Sequence, residues 1–394
     1  MLEYLAAAIA GVATGAFTGL VPGFHANTVV FTSFPLYFRL SPGLMVYMSF
    51  ISALSVSHTF HDFLPAIFLG VAEAEAALAT LPGPSMAAAG RGLEAFYLAL
   101  RGSLASVSVF VAVAPLMVLL LEPVYSLFSD FMFYLIVFFA AYAVFSTDRI
   151  IASAAVASLS AALGLLVFDA PVNQSYVLMP VFGGLFALPS VIRGLDGELE
   201  LPEQKEPEDV SYDRSGVHAG VLAGLLSGMM PGLGSATSTS FLSPLMGKRK
   251  SFMVSMGAVN TSDIFVSFMA LLLVGKSRSG ASVAFSYISD PGSPQMVFLI
   301  GISALAASMS FPLAFVISGR FSEFLQTISV SWFYAAAGAA VVAATLWLTG
   351  FIGVLILLTA GSIGYAAAEA GERKSCMMVL MVPALQFYGN GLIV

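Results

Sequence analysis

Gly15-Ala-Phe-Thr-Gly19-Leu-Val-Pro22-Gly23-Phe-His25-Ala-Asn27-Thr28 returns, 209 residues later, as Gly224-Leu-Leu-Ser-Gly228-Met-Met-Pro231-Gly232-Leu-Gly234-Ser235-Ala-Thr237. At that offset residues 10–36 and 219–245 are identical at ten of 27 positions, and the shared residues include four glycines and two prolines. In each copy Pro removes one helical N–H and Gly lets the backbone leave helical angles. A helix that restarts after such a break offers free N–H groups and the positive end of its dipole to an anion. Polar residues then follow: His25, Asn27 and Thr28 in the first copy, Ser235, Thr237 and Ser238 in the second. These residues, with Pro22, Gly23, Pro231, Gly232 and Gly234, are the candidate substrate-binding set. The alternative is that Pro-Gly kinks a helix for packing and Gly-x-x-x-Gly marks a close helix contact.

The rest of the chain places these breaks in lipid. Hydrophobic residues make up 59% of the 394, charged residues 9%, and mean hydropathy is +0.94. Soluble domains carry roughly 25% charged residues. Apolar runs of membrane-crossing length recur from end to end, and runs such as 110–121 and 131–144 are apolar on every face. That pattern selects helices over barrel strands, which would alternate. The expected architecture is an all-α, multi-pass bundle of two homologous repeats, 1–192 and 216–394, with broken or re-entrant helices. Transporters built this way carry their sites at the repeat interface. The lone Arg39 against Lys248-Arg249-Lys250 suits an inverted pair, and the clusters Lys248–Lys250, Lys276/Arg278 and Arg373/Lys374 are expected to face the cytoplasm. The first segment reads as a retained helix, not a cleaved signal.

Net charge is -7, of which -5 falls between Arg193 and Arg214, where eight acids meet three bases. Residues 193–215 are therefore expected to form an acidic, solvated linker, and the charge gives no reason to expect nucleic acid. The single Cys376 rules out an intrachain disulfide and a cysteine metal site. Ionisable groups inside the apolar helices are costly and face the interior or a watery cavity. His58, Thr59 and Asp62 in one half and Asn260, Thr261 and Asp263 in the other are the candidate ion-coupling set. Asp62 and Asp263 fall at matching positions if Ser57–Phe63 is laid on Asn260–Phe265 with a one-residue gap. His58 and His61 are three apart and lack the His-Glu-x-x-His spacing of zinc proteases, so no metal or other cofactor is expected. Na⁺ or H⁺ is the expected coupling ion.

Between the two breaks lies Glu75-Ala-x-x-x-Thr80-Leu-Pro82-Gly83-x-x-Met86-Ala-x-x-Gly90-Arg91. With the stretches 15–28 and 224–240, this spelling resembles the large permease subunit of the tripartite tricarboxylate transporters. The resemblance covers most of both halves. It implies a helical, duplicated, ion-driven carboxylate importer working with a small membrane subunit and an extracytoplasmic binding protein. The chain is shorter than is usual for that family, as in a compact archaeal branch that works alone. The expected role is an ion-coupled secondary transporter of a small anionic solute, in contact with membrane lipid, as a monomer or homodimer. A flippase for a phosphate-bearing lipid carrier would use the same helix ends. An intramembrane hydrolase would have only His58, His61 and Asp62 to work with.

Overall fold

The computed structural model describes residues 1–21, 26–70, 82–174, 176–196, 201–207, 210–212, 214–230, 235–245, 249–277, 279–288, 293–327 and 330–390. Among them there is no strand. The first half comprises α1 (Leu2–Leu20), α2 (Ala26–Leu40), α3 (Leu44–His61), α4 (Phe63–Phe68), α5 (Gly83–Ala87), α6 (Gly92–Ser129), α7 (Met132–Phe145), α8 (Ile150–Val167), α9 (Leu178–Phe182) and α10 (Leu188–Asp196). A wider π turn, Gly183–Ala187, joins the last two. The second half comprises α11 (Ser215–Met229), α12 (Ser235–Leu242), α13 (Arg249–Val274), α14 (Gly280–Ile288), α15 (Ser293–Thr327), α16 (Val330–Ala370) and α17 (Met378–Asn390).

The solvent these helices expect is lipid. Leu119, Leu166 and Phe351 stand exposed, while Ser52, Ser57, Ser103, Ser255 and Ser262 are fully buried. A water-soluble protein would sort them the other way. Seven of the described helices are long and apolar enough to cross a membrane. One of them is long enough to cross twice. Gly350 breaks α16 with φ 68° and ψ -164°, a conformation open to glycine and costly for other residues. Gly183 meets both Val341 and Leu357, Gly194 meets Tyr334, and Glu369 pairs with Arg193 at 2.6 Å. Residue number therefore falls along one arm and rises along the other as α10 is followed, so α16 is a hairpin. Each arm of some 20 residues is about 30 Å long, the thickness of the hydrocarbon core. Trp332 and Trp347 are exposed near opposite ends of the first arm, where aromatic belts sit.

Helix directions follow from contacts. Gly11, Gly15 and Gly19 of α1 lie against Ala53, Ser57 and His61 of α3, so these helices run together. Gly220, Gly224 and Gly228 of α11 lie in the same way against Ala258, Ser262 and Val266 of α13. Each long helix after these seams packs on the opposite half. α6 runs with α13: Lys250 meets Glu94 at 3.0 Å, the Ser103 hydroxyl donates to the Gly257 carbonyl at 3.1 Å, and Phe110 stacks on Phe265. α15 runs with α1 and α3, since Tyr4 meets Phe298 and, past the end of α3, Phe68 meets Phe321. Yet α15 opposes α13: Leu299 and Ser303 lie beside Met269 and Leu272, whereas Phe315 stacks on Tyr97, one turn from Glu94. It follows that α3 and α13 run in opposite directions.

The linker is tied down where it is described. The Gln204 carboxamide oxygen accepts from the Gly92 N–H at 2.7 Å, and its amide donates to the carbonyls of Ala87 (3.0 Å) and Pro202 (2.7 Å). Lys205 N–H donates to the Gly90 carbonyl, and the Arg101 guanidinium to that of Val210. The described residues 201–207 and 210–212 are thus a strap across the start of α6, whose first N–H groups lack partners within the helix. Gln204→Ala is expected to cost about 1 kcal/mol, as loss of a helix cap does, and to speed limited proteolysis within 201–212. Cleavage at the wild-type rate would count against the strap.

The basic clusters do not all share one face. Arg91, Arg101, Lys205, Arg249 and Lys250 gather at the strap, the face the positive-inside rule makes cytoplasmic. α13 has 26 residues and starts at that face, so Lys276 lies at the other one. The expectation that Lys276 joins Lys250 on the cytoplasmic side is thereby corrected: about 39 Å of helix separates them. Lys248 and Arg278 lie outside the described residues.

Candidate functional site

The site begins with the seams. Glycine lets α1 approach α3 and α11 approach α13 until backbone touches side chain, which fixes the register of each pair. On the seam helices the offset between halves is 209, as in the sequence; on their partners it is 205, with Ala53 on Ala258, Ser57 on Ser262 and His61 on Val266. Asp263 therefore corresponds to His58, not to Asp62 as the gapped alignment had it. Asp62 corresponds to Ser267. The four-residue difference is one helical turn, a slip that a short polar match cannot detect.

Each half repeats one hydrogen bond at this level. The Thr18 hydroxyl lies 2.9 Å from His58 Nδ1, and the Ser227 hydroxyl donates to Asp263 Oδ1 at 2.6 Å. Thr18 and Ser227 are 209 apart, yet they were not singled out from sequence. The signal was there: a hydroxyl conserved in kind, one residue before the third glycine of each copy.

α3 and α13 then cross with polar groups facing. The Asn260 amide donates to Asp62 Oδ2 at 2.7 Å, and the hydroxyls of Thr59 and Thr261 share a hydrogen bond of 3.1 Å. Asp62 is 6% exposed, Asn260 1% and Thr261 fully buried, so this is a polar junction between halves inside the protein. Asp62 stands at the joint between α3 and α4, and its N–H closes the last turn of α3 on the His58 carbonyl. Asn260 spends its NH₂ on Asp62, and its Oδ1 has no hydrogen-bond partner among the described residues. His61 is turned away: its Nδ1 bonds the Ser57 carbonyl at 2.7 Å. Among the described residues, no group of three or more His, Cys, Asp and Glu is placed to hold a metal.

The two interruptions sit in register. α1 ends at Leu20 and α2 begins at Ala26; α11 ends at Met229 and α12 begins at Ser235. Val21 (φ -100°, ψ 106°) and Met230 (φ -97°, ψ 124°) leave their helices in the same extended conformation. Pro22, Gly23, His25, Pro231, Gly232 and Gly234 lie outside the described residues, as do the side chains of Thr28 and Thr237. Asn27, in the first turn of α2, packs on Gly280 at the start of α14 in the other half. Ser235 is buried with its hydroxyl unpartnered among the described residues, and Ser238 donates to the Ser235 carbonyl at 3.0 Å. Thus Thr59, Asp62, Asn260 and Thr261 meet at the α3–α13 crossing, His58 and Asp263 are held at the two seams by Thr18 and Ser227, and Asn27 and Ser235 stand in the first turns of two separate restarted helices.

A multi-pass helical membrane protein with duplicated, interrupted helices and a buried polar junction between its halves belongs to the class of membrane transporters. The chain belongs to the tripartite tricarboxylate transporter TctA family, whose model matches residues 5–379. This is a family of transporters, not of enzymes. The chain is also similar to an uncharacterized protein of Methanocaldococcus jannaschii, 28% identical over 97% of this chain and 98% of that one. No solved structure matches it.

Proposed function

We propose that this permease moves a small carboxylate and couples it to Na⁺ or H⁺ at the crossing of α3 and α13. One observation carries the reading: Asp62 and Asn260, from different halves, bond each other at 2.7 Å, and a buried amide oxygen beside that bond lacks a hydrogen-bond partner among the described residues. Such an acceptor next to a carboxylate suits a cation, with Thr59 and Thr261 supplying further oxygens. His58 and Asp263 flank the junction. The halves are read as an inverted pair, a reading supported by the opposed directions of α3 and α13. In this reading the restarted helices, which begin at Ala26 and Ser235, receive the anion, and the family implies a small membrane subunit and a binding protein as partners.

A thermal-shift screen of purified protein tests this. A ligand bound only by the folded state raises the apparent midpoint by mass action. Di- or tricarboxylates are expected to raise it, and more strongly when Na⁺ is present or pH is lowered. A shift with inorganic phosphate and none with any carboxylate would overturn the substrate assignment.

A further inference from the structure

We infer that Thr18 and Ser227 are repeat-related positioning residues that divide the cargo, Thr18 presenting His58 to the anion and Ser227 presenting Asp263 to the cation. The inference rests on the proposed co-transport of a carboxylate with a cation. Its ground is the pair of seams, which bring the two hydroxyls to equivalent places although the residues they hold differ in chemistry.

The two hydroxyls make matching pairs of contacts. Thr18 is fully buried between the Gly15 carbonyl at 3.0 Å and His58 Nδ1 at 2.9 Å, and its bond to the ring fixes the imidazole in place. The tautomer of His58 sets which of the two carries the proton of that bond. Ser227 has the Gly224 carbonyl at 3.2 Å and Asp263 Oδ1 at 2.6 Å, and the shorter contact is to the carboxylate. Its proton goes there, as a charge-assisted bond at that length requires. One half therefore fixes an imidazole, which meets an anion through Nε2 when that nitrogen carries a proton. The other fixes a carboxylate, suited to a cation. Two identical halves would offer the same group twice; this duplication has diverged at the one level where both cargo charges have to be met. His58 is 2% exposed and Ser227 6%, while Asp263 is partly exposed, so the protein alone sets the orientation of the imidazole.

The test is uptake of radiolabelled citrate and succinate into proteoliposomes holding the full chain, with citrate, succinate, Na⁺ and the pH gradient varied separately. Thr18→Val is expected to raise the half-saturating carboxylate concentration at least tenfold and leave the cation requirement unmoved. Ser227→Ala is expected to raise the cation requirement at least tenfold and leave carboxylate half-saturation unmoved. Thr18→Ser and Ser227→Thr restore the respective constants. Should Thr18→Val not accumulate, Thr18→Ala carries the same expectation. If both variants shift both constants alike, or lower only the melting midpoint, the hydroxyls are structural and the division of labour is wrong. If the wild type takes up neither carboxylate under either gradient, the carboxylate reading fails and this inference fails with it.

Discussion

Gly257→Ala is expected to destabilise the folded protein by more than about 3 kcal/mol, beyond the upper end of ordinary overpacking. A Cβ at Gly257 would fall on the Ala99 carbonyl, and one at Gly102 would fall on that of Val254. The obstacle in both places is the backbone of a long helix, which cannot rotate away as a side chain can. Relief requires α6 and α13 to part. Parting would break the bond from Ser103 to the Gly257 carbonyl and stretch the Lys250–Glu94 pair at the strap end. Gly102→Ala is expected to behave alike. Gly301→Ala and Gly319→Ala are the controls: both lie in α15 with nothing within 4 Å of an added Cβ. There the exchange of Gly for Ala adds up to about 1 kcal/mol of helix propensity. Thermal unfolding in detergent and monodispersity on gel filtration measure all four. A Gly257→Ala protein that melts with the wild type would show that the two halves are not locked through this seam.

The same glycines explain what the sequence disclosed and what it hid. Lipid leaves helices as the only economical backbone here, so class and span positions follow from hydropathy alone. Identity across residues 10–36 and 219–245 revealed the duplication, because Gly and Pro at fixed spacing encode backbone breaks, and the helices do stop at Leu20 and Met229. The pairing inside the site was less legible. Asp62 and Asp263 look alike as letters, but the position of a side chain is set by which seam its helix packs on, and that register exists only in three dimensions. Thr18 escaped notice because a threonine in a helix usually bonds its own backbone, as this one also does to Gly15. The break in α16 was visible as a gap between two apolar runs, whereas its reversal at Gly350 rests on contacts with α10. Charge predicts an acidic, solvated linker, and most of its described residues are exposed or half-buried; what composition does not disclose is that Gln204, Lys205 and Arg101 fasten it to the start of α6.

Asp62→Asn is expected to abolish gradient-driven carboxylate uptake, by two orders of magnitude or more, while melting close to the wild type. Asn has the shape of Asp and can still accept from the Asn260 amide, so the 2.7 Å contact between halves survives and the Asn260 NH₂ keeps its acceptor. What vanishes is the negative charge that, in the proposed mechanism, holds the cation. Asp62→Ala separates the two contributions from the other side. It removes charge and acceptor together, leaves the Asn260 NH₂ unpaired in a buried site, and is expected to cost about 1–3 kcal/mol of stability besides transport. Asn260→Ala keeps the carboxylate and removes its donor. A hydrogen bond to a charged group contributes about 1.5–3 kcal/mol, so the cation requirement is expected to rise roughly 10- to 150-fold. The graded series, with Asp62→Asn stable but inert and Asn260→Ala active only at high cation, is hard to produce by damage to packing. Uptake by proteoliposomes under an imposed Na⁺ or pH gradient reads the series directly. Wild-type rates from Asp62→Asn under the same gradient would show that the carboxylate between the halves serves the architecture and that the driving ion binds elsewhere.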